Sequence, residues 1–462
     1  MNYIAIMLLP ILFFTIEPPK AISLNSFDLR SNTLKQSEID KSANQVLNSG
    51  SYSNAVRPVA SLNDPDADAK PTTDKPTLTW PKVLGAVYYE IEFTSAPPEQ
   101  PNNIELSSHR VYSSRAVFTN GYNADLSQYQ ANVIYWRVRA LDLDGNPLGV
   151  FSDANRILID HTIHSLLKPI PTVQFNKNES PTPLYPVYSW IPITGTSKYE
   201  VEITSQSPEN PNDIQPSKYR IESKEAVGFD CYDDEARCIP GTYYWRVRGL
   251  DDQNNAVGVY SDAQPFVVNP SKYSYAAALG DSITHGGGAI SYSPSDWEYD
   301  FQTYLKFPVV NLGKSGDTSE TMAARFDKDV LPYKPKFLII LGGTNSLRHG
   351  VPANNVIDEL TIIKNKCLAN GIRPIFLTLL PINPSAIEKA FNQETVQDWQ
   401  SEFEKVNNFI CKQEYYIDIE PHFFDNNRTL PNYYAIDGLH PDIEGKKLMA
   451  KIINENWESV TR

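Results

Sequence analysis

Two kinds of hydrophobic pattern divide this chain, and the change falls near residue 271. In residues 86–95 (AVYYEIEFTS) and 197–205 (SKYEVEITS) apolar and polar residues alternate, the period of a strand with one buried face. Residues 135–142 (YWRVRALD) and 244–251 (YWRVRGLD) alternate too, with Trp and Val on one side and Arg on the other. These segments belong to two copies of one unit. The first copy carries Trp80, the strand from Ala86, PNNI at 101–104, YWRVRALD and GVFSD at 149–153. The second carries Trp190, the strand from Ser197, PNDI at 211–214, YWRVRGLD and GVYSD at 258–262. Corresponding residues lie about 110 positions apart, a domain's length, which predicts two tandem β-sandwiches rather than a solenoid. Trp80, Trp136, Trp190 and Trp245 recur as strand residues and are expected in the sandwich cores rather than as sugar-stacking platforms.

Beyond residue 271 the period changes. Short apolar runs at 276–280, 308–313, 336–343, 373–381 and 415–420 are separated by longer amphipathic stretches. Those stretches fall around 297–305, 319–330, 354–370, 395–412 and 442–458, and they predict helices. Strands alternating with helices imply a three-layer α/β domain, a parallel sheet covered on both faces. Sites in such domains form at the carboxyl ends of the strands. The predicted organisation is an apolar N-terminal segment (1–22), a polar linker (23–55), two β-units (56–163 and 164–270) and an α/β domain (271–462).

Residues 3–16 are almost uninterruptedly apolar, short for a membrane span and of the size of a signal-peptide core. No Lys or Arg precedes the run, so an uncleaved anchor is the competing reading; either places the rest of the chain outside the cytoplasm, secreted, periplasmic or associated with the cell envelope. The formal net charge of −14 argues against a nucleic-acid partner. Four cysteines fit an oxidising compartment, and the expected pairing is Cys231–Cys238 with Cys367–Cys411. No CxxC is present, and neither a metal nor a cofactor is expected.

The first strand of the α/β domain runs into LGDSITHG (279–286), which puts Ser282 at a strand-to-helix turn. Taken alone, Ser282 reads as a helix N-cap. Three further features share its edge of the sheet: Gly313 after the second strand, Asn345 after the third, and DGLHP (437–441) before the last helix. A serine hydroxyl needs a base within hydrogen-bond reach to act as a nucleophile, and an imidazole such as His440 can serve. Asp437, with two residues between, can take the other ring N–H and fix the tautomer. The backbone N–H of Gly313, the side-chain amide of Asn345 and the N–H of Ser282 are the expected donors to an oxyanion. Arg348, near Asn345, is expected to cap a helix.

The four blocks around Ser282, Gly313, Asn345 and His440 resemble the SGNH (GDSL-like) hydrolases, over roughly residue 275 to the C-terminus. The resemblance implies a serine esterase with Ser282, Asp437 and His440 as catalytic triad and with Gly313 and Asn345 in the oxyanion hole. The β-units, in turn, resemble fibronectin type III modules. By analogy with exported members of the hydrolase family that carry β-sandwich modules, the expected substrate is an acetylated polysaccharide or glycan. Longer acyl esters, cleaved by a lysophospholipase or thioesterase, are the alternative, as is a non-catalytic glycan-binding protein of the envelope. The expected role of the β-units is that of a spacer.

Overall fold

The computed structural model describes residues 61–62, 71–100, 102–173, 175–176, 180–288, 291–424 and 427–462. The apolar run at 3–16 and the linker at 23–55 lie outside the described residues.

Each repeat folds into a small and a larger antiparallel sheet. In the first, β1 (Ser61–Leu62), β2 (Thr77–Thr79) and β5 (Gly121–Asn123) pair in the order β1-β2-β5. The strands β3 (Tyr88–Thr94), β4 (Arg110–Val117), β6 (Val133–Leu141) and β7 (Asn155–Leu158) pair in the order β4-β3-β6-β7. Leu78 of the small sheet joins Ile91, Trp136 and Val138 of the larger one in a single core, so the sheets pack face to face. The second repeat places β8 (Ile170–Pro171), β9 (Val187–Ile191) and β12 (Asp230–Tyr232) in its small sheet. Its larger sheet holds β10 (Lys198–Thr204), β11 (Arg220–Val227), β13 (Gly241–Leu250), β14 (Ala256–Val257) and β15 (Gln264–Val268). All four repeated tryptophans are buried.

The polar side of each larger sheet is covered as well. Glu92 and Glu202 are fully buried, each ion-paired with the arginine opposite it, Arg137 or Arg246. Carbonyls beside the repeated PNNI and PNDI segments accept from these guanidinium groups, at Gln100 and Glu105 in the first unit and Asn210 and Gln215 in the second. Phe151 and Tyr260, from the repeated GVFSD and GVYSD segments, stack on them at 4.2 and 4.0 Å. The repeated motifs therefore serve one structural purpose, which is to bury a Glu–Arg pair with its hydrogen bonds satisfied.

The α/β domain is built on five parallel strands: β16 (Ala276–Gly280), β17 (Val309–Asn311), β18 (Phe337–Leu341), β19 (Arg373–Leu377) and β20 (Tyr416–Ile417). Their order is β17-β16-β18-β19-β20. The chain thus steps to one side after β16 and to the other after β17, which opens a crevice at the carboxyl ends of β16 and β18. The helices are α1 (Ser282–His285), α2 (Ser319–Asp329), α3 (Thr344–Arg348), α4 (Ala353–Ala369), α5 (Pro384–Phe391), α6 (Trp399–Ile410) and α7 (Ile443–Thr461). The helix expected at 297–305 is instead two 3-10 turns, Trp297–Tyr299 and Phe301–Tyr304, broken at an extended Asp300. The cause is the burial of the Asp300 side chain, which a continuous amphipathic helix would have turned elsewhere.

The expected disulfides are absent: all four cysteines are free thiols. Cys231 faces the core of the second β-unit, whereas Cys238 packs against the core of the α/β domain, so the two point into different interiors. Cys367 is committed to the α/β core, and Cys411 is the partly exposed C-cap of α6. Burial pushes the thiols of Cys231 and Cys367 up to about 12.

The second β-unit is joined to the α/β domain along a strand edge. Leu184 N–H donates to Asn311 O on β17 at 2.9 Å, and Leu184 and Tyr185 enter the α/β core. Tyr185 Oη donates to the buried carboxylate of Asp329 at 2.7 Å.

Candidate active site

Ser282 is the first residue of α1, directly after β16. Asp281 caps the turn by accepting from Ile283 N–H at 3.0 Å. A side chain at Gly280 would meet Thr284 Oγ1 and the carbonyl of Leu341 within 2.3 Å, which explains the glycine at the end of the strand. Ser282 stays half-buried, with its hydroxyl directed at an imidazole.

That imidazole is His440. Its Nε2 lies 2.9 Å from Ser282 Oγ, and its Nδ1 lies 2.8 Å from Asp437 Oδ2. The other carboxylate oxygen of Asp437 accepts the backbone N–H groups of Leu439 and His440, both at 2.8 Å. Asp437 is 1% exposed and acts as an acceptor on both oxygens, so Nδ1 carries the ring proton and Nε2 is left to accept from the serine. The turn between them passes through Gly438 at φ +75°, where a Cβ would also sit 2.5 Å from Asn383 O. Phe391 of α5 packs edge-on against the His440 ring at 5.8 Å.

Asn345 is the second residue of α3 and is 8% exposed. Its Nδ2 donates one hydrogen to Asp317 O at 2.9 Å, and its Oδ1 accepts from Arg348 Nε at 3.1 Å. Among the described residues, the second hydrogen on Nδ2 has no acceptor. Arg348 does not cap a helix as expected. It holds the Asn345 amide in one orientation and is itself held by Gln393 Oε1 at 3.0 Å.

The structure corrects the reading of Gly313. Its N–H donates to Asn311 Oδ1 at 2.9 Å, and a Cβ there would lie 2.3 Å from His285 N. Gly313 is buried against the back of the Ser282 turn, and its N–H is taken by Asn311. Three residues on, Gly316 is exposed, adopts φ +86°, and has open space around it. Its N–H has no partner among the described residues, and it directly precedes Asp317, whose carbonyl holds Asn345. The signal was present as Ser-Gly-Asp at 315–317, but Gly313 comes first in the segment and lies nearer the end of the strand.

Sequence reasoning also passed over the groups beneath Ser282. Lys446 of α7 is fully buried and donates to Ile283 O at 2.7 Å. Burial pushes its ammonium down to about 8, against the attraction of Asp300, Asp281, Asp442 and Asp437. Burial pushes Asp281 up to about 6 and Asp300 well above the usual carboxylate range. His285 is buried too. Its Nδ1 accepts from Ser315 N–H at 3.1 Å, so Nε2–H donates to Tyr185 O at 2.6 Å. Burial lowers this imidazole to about 4, which keeps it neutral. Asn311 Nδ2 donates to His285 O at 2.9 Å and ties the turn to β17. None of these contacts has a sequence spacing that announces it.

Among the described residues, Glu222, Asp233 and Asp234 lie close enough to share a cation, but Lys224 pairs with all three and Arg237 with two. That cluster belongs to the second β-unit, apart from Ser282.

The parallel sheet thus presents a serine at the end of its first strand, facing an imidazole and a carboxylate from the loop before its last helix. Residues 278–448 match the model of the GDSL-like Lipase/Acylhydrolase family, so the C-terminal domain is a GDSL-like domain of the carboxylic ester hydrolase class. The chain is 32% identical over 129 residues to the uncharacterized lipoprotein YqeF of Bacillus subtilis, a match covering 24% of this chain and half of that one. It is 25% identical over 156 residues to an acetylxylan esterase of Geobacillus stearothermophilus, covering 32% of this chain and 70% of the relative. To the esterase TesA of Pseudomonas aeruginosa it is 27% identical over 192 residues, covering 40% and 84%.

Proposed function

We propose that this chain is an exported serine esterase that removes O-acetyl groups from a polysaccharide or glycan. The observation that carries the reading is the continuous relay from Ser282 Oγ through His440 to Asp437, at 2.9 and 2.8 Å. Ser282 Oγ attacks the ester carbonyl carbon as its proton passes to His440 Nε2, and Asp437 stabilises the imidazolium that forms. The tetrahedral oxyanion accepts from Ser282 N–H, from the free N–H of Asn345 and from Gly316 N–H, which takes the role first expected of Gly313. Collapse expels the alcohol, which takes the proton back from His440. Water, activated by the same imidazole, then releases the acid and the serine.

The acetylxylan esterase relative supports an acetylated glycan as substrate, and the apolar run at 3–16 supports export. The two β-units are read as fibronectin type III-like sandwiches, supported by the matching three-stranded small sheets and by the repeated buried Glu–Arg pairs. The test is an acetate-release screen on acetylated polysaccharides, with Ser282→Ala as control. Acetate release that disappears in the variant is expected. A marked preference for octanoyl over acetyl p-nitrophenyl esters overturns deacetylation in favour of longer acyl chains. Glycan binding that survives Ser282→Ala, with no fluorophosphonate labelling of the parent protein, overturns catalysis altogether.

A further inference from the structure

We infer that the first β-unit is a specificity-determining part of the active site rather than a spacer, and that it selects esters of bulky alcohols. This rests on the esterase reading above. The unit touches the α/β domain at two places, one on the segment that follows Ser282 and one on the helix whose Phe391 packs against His440. On the nucleophile side, Lys82 Nζ forms ion pairs with Asp296 and, at 2.7 Å, with Glu298. Beside it, Tyr89 Oη meets Tyr292 Oη at 3.3 Å in a buried contact. Tyr292 stacks on Tyr299 at 4.7 Å between ring centroids, and its carbonyl accepts from Gly288 N–H at 2.8 Å. Gly288 lies six residues beyond Ser282. On the base side, Asp144 pairs with Lys389 Nζ at 2.5 Å. Lys389 sits on α5, two residues before the Phe391 ring that packs against His440.

The two contact points come from adjacent loops of the unit: a Cβ on Gly85 would lie 3.8 Å from Leu148, and one on Gly145 would lie 2.6 Å from Tyr88 Oη. One end of the first sandwich therefore spans the segments that border the nucleophile and the base. The second repeat supplies an internal comparison. Its Tyr199 Oη receives Ile193 N–H at 3.0 Å, as Tyr89 Oη receives Val83 N–H at 3.1 Å. The spare valence of Tyr199 is used inside its own unit, on Thr196 O, whereas that of Tyr89 reaches across to Tyr292. Pro192 and Gln253 stand where the first unit has Lys82 and Asp144. The bridging charges are thus absent from the second copy, where the matching tyrosine bonds within its own unit. A short ester contacts only the triad and its amide donors. On this inference a bulky alcohol extends between the 292–298 segment and α5, both of which the first unit contacts.

The test compares kcat/KM for peracetylated cellobiose with that for p-nitrophenyl acetate in the full chain. Lys82→Glu sets a carboxylate against Asp296 and Glu298, and the bulky-to-small ratio is expected to fall at least fivefold. Adding Glu298→Lys is expected to restore most of it. Asp144→Lys, on a half-exposed pair that tolerates the change, gives a second fall, which Lys389→Asp reverses. A ratio within twofold of the parent in both single variants, or an equal fall on both substrates, overturns the inference while an active, fluorophosphonate-labelled enzyme leaves the esterase reading standing. No labelling and no ester cleavage by the parent chain overturns both.

Discussion

Replacing Asp437 by asparagine removes one charge and almost no volume, and the surrounding hydrogen bonds dictate how the new side chain must orient. The backbone N–H groups of Leu439 and His440 hold one oxygen of residue 437 and will keep an amide oxygen there. The amide NH2 must then face His440 Nδ1, where the carboxylate oxygen now lies at 2.8 Å. Nδ1 becomes an acceptor, the ring proton moves to Nε2, and Nε2 cannot take the proton of Ser282. Recovering the productive tautomer forfeits the new amide–imidazole hydrogen bond, about 1 kcal/mol. The imidazolium formed during attack also loses its carboxylate, about 4 kcal/mol for charges ~4 Å apart at an effective dielectric near 20. The sum, about 5 kcal/mol, corresponds to a fall in kcat of roughly 10³–10⁴-fold. The assay is p-nitrophenyl acetate hydrolysis with kcat and KM resolved, alongside the rate of fluorophosphonate labelling. KM should stay within about twofold, and thermal unfolding should barely move. An Asp437→Asn enzyme that folds normally and retains kcat within tenfold of the parent refutes the assigned role of the carboxylate.

Arg348→Met should leave the fold intact and lower kcat about tenfold with little change in KM. The side chain only orients the Asn345 amide, and that is less than the 10²–10³ lost when an oxyanion donor is removed outright. His285 is held near 4 in the fold against an ordinary value of 6.5, so the unfolded chain takes up a proton first as pH falls. Its contribution to stability is complete above pH 6.5 and is lost towards pH 4, about 3 kcal/mol at 1.36 kcal/mol per unit. Urea unfolding of His285→Gln should therefore show a pH dependence flatter by that amount across this window, and an unchanged slope would contradict the assignment. Lys446→Met removes the buried hydrogen bond to Ile283 O and the attraction of Asp300, Asp281, Asp442 and Asp437, and should destabilise the α/β domain by about 1–3 kcal/mol in urea unfolding. Adding Asp300→Leu should recover part of that loss, and no recovery would mean that the two charges are not coupled.

The strand ends were legible because each depends on local pattern. Short apolar runs closed by glycine or asparagine mark where a parallel strand leaves the sheet, and Ser282, Asn345 and the 437–441 loop all lie at that edge. The hydrogen bonds linking Ser282, His440 and Asp437 were legible for the same reason, since Asp437 and His440 belong to one turn. Gly313 failed on a matter that pattern does not encode, namely which of two nearby N–H groups is already bonded. The Asn311 side chain settles it, and nothing in the spacing of Asn311 and Gly313 distinguishes a bonded from an open amide. The 3-10 turns at 297–304 failed similarly: their apolar spacing suits a helix, but Asp300 has to enter the interior beside Lys446, far away in sequence. The Cys231–Cys238 pairing fails because the two residues, though close in sequence, line the cores of different units.

The spacer reading of the β-units fails on physical grounds. A spacer requires junctions that few contacts cross. Here Leu184 extends the edge of the parallel sheet, Tyr185 donates its hydroxyl to Asp329, and the Tyr185 carbonyl holds the tautomer of His285 in the nucleophile turn. Removing the second unit would expose an edge strand, leave the Asp329 carboxylate with one partner fewer and free the Nε2–H of a buried histidine. The turn that presents Ser282 is thus stabilised from one side by Lys446 of α7 and from the other by a carbonyl of the β-repeats. The α/β domain of this chain is therefore not an independent unit with modules appended. The turn that carries Ser282 is completed by residues that precede it in sequence by about 100 positions.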